Sequence, residues 1–304
     1  DINRSTDVPT VTQAGTKLNY SAFLNTTTAQ ATLGVGDSVM IAQRVEGYNI
    51  RNISGKNLFL SFMVKASKTG IYCASFRNGT SNRSYISEYT VNVSNTWEMK
   101  TIRLKHDTIG TWSYDNQLGL NVGWTIASGT TFQTTADSWQ TGNFYATSNQ
   151  VNGVDAVNNE FRIALPVLHE GIDQIPFNEL SRSFSQEVSL CQRYFEKSYN
   201  IDVVVGTIGA SGTVRAYTYQ AVTSTINYML VSMGFKTTKR IDPSCVPYSV
   251  SSGTPNTAGT GANASQPATA HGGTSTILIQ PISTAGTNSN TASVEAHWTA
   301  DAEL

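Results

Sequence analysis

The sequence predicts a mainly β chain: an antiparallel β-sandwich, then a short helix, then a smaller C-terminal β domain. Three observations carry this. Apolar residues recur with period two in stripe after stripe before residue 180, the spacing of half-buried strands. A helical spacing occurs only after Ser183, which excludes doubly wound α/β folds. From residue 201 onward the period-two pattern returns, and from Pro243 to Val294 the chain carries no charged residue. The domains are accordingly expected at 1–180, 181–200 for the connecting helix, and 201–304.

Taken in order, Val39 and Ile41 mark an early strand. Leu58, Leu60, Phe62 and Val64 alternate with Phe59, Ser61, Met63 and Lys65, as an inner strand should. Tyr85, Tyr89, Val91 and Val93 make a further stripe, and Ser94-Asn95 then reads as the two-residue turn of a hairpin leading to Trp97. Between Trp97 and Leu104 the apolar positions slip from Trp97 and Met99 to Ile102 and Leu104. An odd slip predicts a bulge. Leu118, Leu120, Val122, Trp124 and Ile126 give the cleanest stripe, and Trp97 and Trp124 are assigned to the core. Phe161, Ile163, Leu165 and Val167 close the sandwich, with Pro166 placing that strand near an edge or an end. Ser183 with Gln186 forms a capping box, and Val188, Cys191 and Phe195 follow at helical spacing, with Cys191 as a small core residue.

Three segments together resemble a family of tail-fibre and other virion surface proteins of bacteriophages and prophages. They are GTWSYDNQLGLNVGW (Gly110 to Trp124), SWQTGNFYATSNQVN (Ser138 to Asn152) and the run from FRIALPVLHEG into SFSQEVSLCQRYFEKS. The family's recurring order is matched by Glu170-Gly171, by Pro176-Phe177 and by Cys191-Gln192-Arg193-Tyr194-Phe195, and the ending HWTADAEL is similar too. The resemblance is good over roughly residues 35 to 200, loose beyond, and poor before Gly34. It implies a carbohydrate-binding-like jelly roll, a place on the virion surface after synthesis in the bacterial host cytoplasm, and a homotrimer. It carries no catalytic signature with it.

Composition agrees with a particle-surface protein. Charged residues are 13% of the 304, and Ser, Thr, Asn and Gly solvate the chain instead. A formal net charge of -1 without a basic stripe gives no reason to bind nucleic acid. Lys236, Lys239 and Arg240 read as a solvated turn. No apolar run reaches the length of a membrane span. The three cysteines, Cys73, Cys191 and Cys245, are scattered, without disulfide-framework or zinc spacing. No cofactor is expected. A structural calcium ion, as in many carbohydrate-binding jelly rolls, has no run of alternating Asp and Asn to mark it.

Beyond the helix, Tyr217 and Tyr219, then Ile226, Tyr228 and Leu230, read as strands around a turn at Thr223-Ser224. From Pro243 to Val294 there is no Asp, Glu, Lys or Arg, and residues 251 to 275 read as a Ser/Thr/Gly-rich surface loop. Strands follow near Thr276 to Ile282 and Ala292 to Trp298. β-prone segments without charged guards invite pairing with identical neighbours, the second reason to expect a homo-oligomer.

The four histidines (His106, His169, His271, His297) lack ligand spacing, and no nucleophile elbow, phosphate loop or dinucleotide fingerprint is present. The chain is expected not to be an enzyme. Sugar rings favour flat aromatic platforms beside amide or carboxylate groups. Trp112, Tyr114 and Asp115 in one turn-rich segment, and Trp139, Asn143 and Tyr145 in another, are the candidates, with packing beneath the loops as the competing role for the two tryptophans. The leading expectation is a non-enzymatic tail-fibre or receptor-binding component that attaches to host surface polysaccharide beside other virion proteins. The alternatives are a capsid decoration or head-fibre protein and a glycan-degrading tailspike.

Overall fold

The computed structural model describes residues 2–177, 182–219, 230–260, 263–281 and 291–304. The chain forms two compact units, residues 1–181 with Leu304, and residues 182–303.

The first unit contains β1 (Ile2–Ser5), α1 (Val11–Ala14), β2 (Ser21–Asn25), β3 (Ser38–Glu46), α2 (Gly47–Ile50), β4 (Asn57–Ala66), β5 (Gly70–Asn78), β6 (Arg83–Val91), β7 (Glu98–Lys105), β8 (Leu118–Ser128), β9 (Trp139–Thr141) and β10 (Glu160–Glu170). Two antiparallel five-stranded sheets result, β1-β2-β10-β4-β7 and β3-β8-β5-β6-β9. Set aside the edge strands β1 and β9, and the remaining strands pair first with last: β2 with β10, β3 with β8, β4 with β7, and β5 with β6. This is the doubly folded hairpin of a jelly roll.

The core lies between the sheets. Leu58, Leu60, Phe62 and Val64 face Tyr72, Ala74, Phe76, Leu120, Val122, Trp124 and Ile126 in one cluster. Burial of these stripes supplies the main driving force for the unit.

Several local expectations change. β6 and β7 lie in different sheets, so Ser94-Asn95 turns the chain across the sandwich instead of closing a hairpin. β7 pairs with β4 in unbroken register from Asn57↔Lys105 to Val64↔Glu98, so it has no bulge. The slip in its apolar pattern has another cause. Trp97 and Met99 face outward, where they meet Met63, Ala164 and Leu18 in a small cluster outside the main core. That sheet is apolar on both faces. β10 is an interior strand, and its proline fits because the register shifts between Ala164 and Val167, beyond the last residue paired with β2.

The second unit contains α3 (Phe184–Gln192), β11 (Phe195–Lys197), β12 (Val214–Tyr219), β13 (Val231–Gly234), β14 (Ser244–Tyr248), β15 (Thr257–Thr260), β16 (Asn263–Gly272), β17 (Thr276–Pro281) and β18 (Thr291–Asp301). β18 is its spine, pairing with β11 and β14 along one half and with β12 and β15 along the other. Ala258, Ile277, Ile279, Val294, Ala296 and Trp298 form its core. Much of the stretch from 251 to 275 is therefore strand and not loop. β15 and β16 run through it, because small side chains such as Ala258 and Ala268 pack close against β18 and β17. Thr223, Ser224, Ile226 and Tyr228 lie outside the described residues.

The capping box at α3 is as expected. Gln186 N donates to Ser183 Oγ at 3.4 Å, and Ser183 N donates to Gln186 Oε1 at 2.9 Å. Cys191, however, is exposed, and no residue of α3 is buried. The expected solvated turn holds for Lys236, which is exposed, but not for the other two. Lys239 is 1% exposed and Arg240 7%. Lys239 Nζ pairs with Glu196 at 2.6 Å, and Arg240 donates to the carbonyls of Ala302 and Glu303. No described helix is long and apolar enough to cross a membrane.

Candidate functional site

The six candidate residues fall into two places on the first unit. Trp112 and Trp139 meet edge-on with centroids 5.6 Å apart, and Trp112 is itself buried, its Nε1 donating to Ile109 O at 3.0 Å. Tyr114 is tied down through its hydroxyl, 2.7 Å from Ser54 Oγ. Asp115 uses Oδ1 to accept Gln117 N at 2.9 Å, the turn-forming role of an Asx side chain. A Cβ on Gly47 would stand 2.5 Å from Ser113 O and 2.8 Å from Asp115 N, so α2 closes against this segment only because Gly47 has none. Trp112 and Tyr114 thus hold loops in place.

Trp139 is different. Its Nε1 donates to Lys105 O at 2.7 Å and one side of the ring rests on Tyr85 at 5.5 Å, yet the residue stays partly exposed. It lines a groove of about 440 Å³ with Asn57, Tyr85, Arg103, Lys105, Asp137, Ser138 and Ile172. A second hollow of about 430 Å³, with Lys56 and Glu170, shares Asn57, Lys105 and Ile172 with the first. Lys56 and Glu170 form a 2.7 Å ion pair there. The volume falls within the range of small-ligand sites, and an aromatic ring amid amide, hydroxyl and charged groups suits a sugar. The electrostatics are set by depth. Burial, and then the charge of Asp137, pushes the Tyr85 hydroxyl up to about 12, so it serves as a neutral hydrogen-bonding group. His106, beneath the tryptophans at 4.2 Å from Trp112, is held below the usual histidine range by burial.

Asn143 and Tyr145 stand elsewhere, on the outer face of the β3-β8-β5-β6 sheet. Arg77 Nη1 donates to Asn143 Oδ1 at 2.8 Å, and Asn143 Nδ2 donates to the Tyr145 hydroxyl at 2.9 Å. The Arg77 guanidinium lies 4.3 Å from the centre of the Tyr145 ring, which also stacks on Phe132 at 4.4 Å. Arg77 and the groove residues Arg103, Lys105 and Asp137 were not among the sequence candidates. For Arg77 the one available signal is position: it alternates with Phe76, so a strand there must turn the guanidinium away from the core.

One pair in the second unit has the spacing of a nucleophile and its base. Ser198 Oγ lies 2.9 Å from His297 Nδ1, and His297 Nε2 is 3.1 Å from Ala210 O. The imidazole is fully buried and stacked on Tyr199 at 3.9 Å, and Ser198 Oγ also accepts Trp298 N at 3.0 Å. These bonds make it a satisfied core histidine. Among the described residues, no three His, Cys, Asp or Glu side chains gather as metal ligands would.

No family model and no curated protein matches this chain. Among solved structures, it is similar to the enzymatically active domain of tailspike protein 4 from bacteriophage CBA120, with 12% identity and a TM-score of 0.32 over 56% of this chain. The match spans 18% of that tailspike chain. It is also similar to a CBM4 structure, with 11% identity and a TM-score of 0.31 over 51% of this chain and 74% of that one.

Proposed function

We propose that the chain is a non-enzymatic virion surface protein, a tail-fibre or receptor-binding component that attaches to host-surface glycans through its jelly-roll unit and assembles as a homotrimer. The observation that carries the reading is the groove at Trp139, where a partly exposed indole lies beside Asn57, Ser138, Asp137, Arg103 and Lys105. An aromatic face with polar neighbours recognises the apolar C–H face of a sugar and the hydroxyls around it. The virion placement rests on the sequence resemblance across Gly110 to Trp124, Ser138 to Asn152 and Phe161 to Ser198. A single stacking contact contributes about 1 kcal/mol, so one site is weak, and several copies on a particle raise the effective concentration of the next contact.

The test incubates the full chain with purified host envelope polysaccharide and follows both retention and fragment size. Retention with unchanged chain length is expected, together with weaker retention by Trp139→Ala. Shortened chains would establish a glycan-degrading tailspike. No retention, combined with firm binding to empty capsids, would replace attachment with shell decoration.

A further inference from the structure

On the outer face of the second sheet, register places Arg44, Asn121, Arg77 and Ser84 in one row across β3, β8, β5 and β6. In the neighbouring row Ala42, Gly123 and Ser75 carry almost no side-chain bulk across β3, β8 and β5, and the buried Ile86 closes the row at β6. The three small positions form a shallow trough beside a guanidinium. Arg77 is 6% exposed, and among the described residues no carboxylate pairs with it. Its partners are neutral: Asn143 Oδ1 at 2.8 Å, the Tyr145 ring, and the Met40 thioether at 3.9 Å. Among the described residues its Nε has no partner, and Ser75 Oγ and Asn121 Oδ1 are likewise buried and unpartnered. A buried cation without a counter-charge costs several kcal/mol, so this arrangement is expensive unless something completes it.

We propose that this trough binds the carboxylate of an acidic sugar, with Arg77 as its anchor. The unmet groups define the ligand. Arg77 Nε needs an acceptor, which a carboxylate supplies through a strong charge-assisted bond. Asn121 Oδ1 needs a donor, and Ser75 Oγ takes either role, as ring hydroxyls next to the carboxylate provide. Met40 roofs the trough, its sulfur 3.4 Å from where a Cβ on Gly123 would stand, and its unbranched chain can swing aside. Arg44, which also donates to the Leu304 carbonyl, adds positive charge at the rim. This second subsite rests on the glycan reading for the nature of its ligand and narrows that ligand to uronate-bearing polysaccharides.

The experiment titrates the full chain with trigalacturonate, with its neutral trimethyl ester and with a tetra-aspartate peptide, following the Arg77 Nε–H resonance. The acid is expected to move that resonance and to bind at least about tenfold more tightly than the ester. Asn121→Asp sets a carboxylate directly beside Arg77, across one strand pair. It should raise the melting temperature by about 2–4 °C and abolish the response to the acid. Equal binding of acid and ester, or an Asn121→Asp protein that melts lower than wild type, overturns the proposal but leaves glycan attachment standing. Tetra-aspartate matching the acid overturns the sugar assignment. If no trigalacturonate binds, the subsite fails, and retention of host polysaccharide through Trp139 then judges the wider reading separately.

Discussion

His106 is 2% exposed and packed on Trp112, and among the described residues neither ring nitrogen makes a hydrogen bond of ordinary geometry. Burial holds its pKa below the ordinary 6.5. The unfolded chain therefore binds a proton below about pH 6.5 that the folded one refuses, and stability falls as pH drops from there toward the folded pKa. Thermal melts of the first unit should show this loss as pH falls below about 6.5. His106→Phe should flatten it, and an unchanged slope would assign the acid sensitivity to other groups. Two tryptophans give a second contrast at this scale. Trp124 is 2% exposed and packs edge-on against Phe62 at 5.8 Å, so Trp124→Ala should cost about 3–5 kcal/mol. Trp139→Ala should cost clearly less and reduce glycan retention. Equal losses in chemical denaturation would make Trp139 a packing residue. Trp124 was legible in the sequence because its stripe faces a single core. Trp97 is buried as its stripe indicated, but in a second, smaller cluster that alternation alone cannot tell from the main core.

The helix α3 and the strand after it show how an element can depend on one distant side chain. Helix C-termini leave carbonyls without partners. Lys239 Nζ takes the Gln192 carbonyl and the Thr237 carbonyl, pairs with Glu196, and lies 4.5 Å from the Phe235 ring centre. Arg240 N donates to Arg193 O, and Ala302 N to Tyr194 O. The Cys-Gln-Arg-Tyr-Phe run is thus the joint between helix and sheet, held from below by a buried cation. Lys239→Met leaves Glu196 buried without its counter-charge and should destabilise the second unit by about 3–5 kcal/mol. Adding Glu196→Leu to Lys239→Met should recover most of that loss, and a double variant as unstable as the single one would show that Lys239 acts mainly through the two carbonyls. The capping box was readable because Ser183 and Gln186 are local. The buried lysine was not, since a Lys in a Thr-Lys-Arg run looks solvated until Glu196, far along the chain, is placed beside it. The Ser/Thr/Gly-rich stretch misled for a related reason: strands built from small residues carry little periodic signal, and only the close approach of β18 makes them worth forming.

For the whole molecule, the sandwich was legible from its stripes, but the jelly-roll order was not. First-with-last pairing depends on contacts between strands more than a hundred residues apart, such as β2 and β10, and period-two alternation says nothing about partners. The resemblance, not the periodicity, implied that order. The second unit leaves its own question. Ile201 is 61% exposed, Val204 76% and Ile208 61% within one eight-residue stretch, and Phe184 on α3 is 72% exposed. A nine-residue helix with no buried side chain is marginal on its own in water. In the homotrimer proposed above, identical chains cover these side chains and the uncharged strands. Sedimentation of the full chain at micromolar concentration should give a single species of three times the 32.8 kDa chain mass. Phe184→Asp combined with Val204→Asp should dissociate it, because each carboxylate would be buried unpaired in the assembly but solvated in the monomer. The first unit, melting separately, should keep its transition in that variant. A wild-type chain that stays monomeric, or a trimer indifferent to both charges, would move the contact away from these side chains and leave them to another partner.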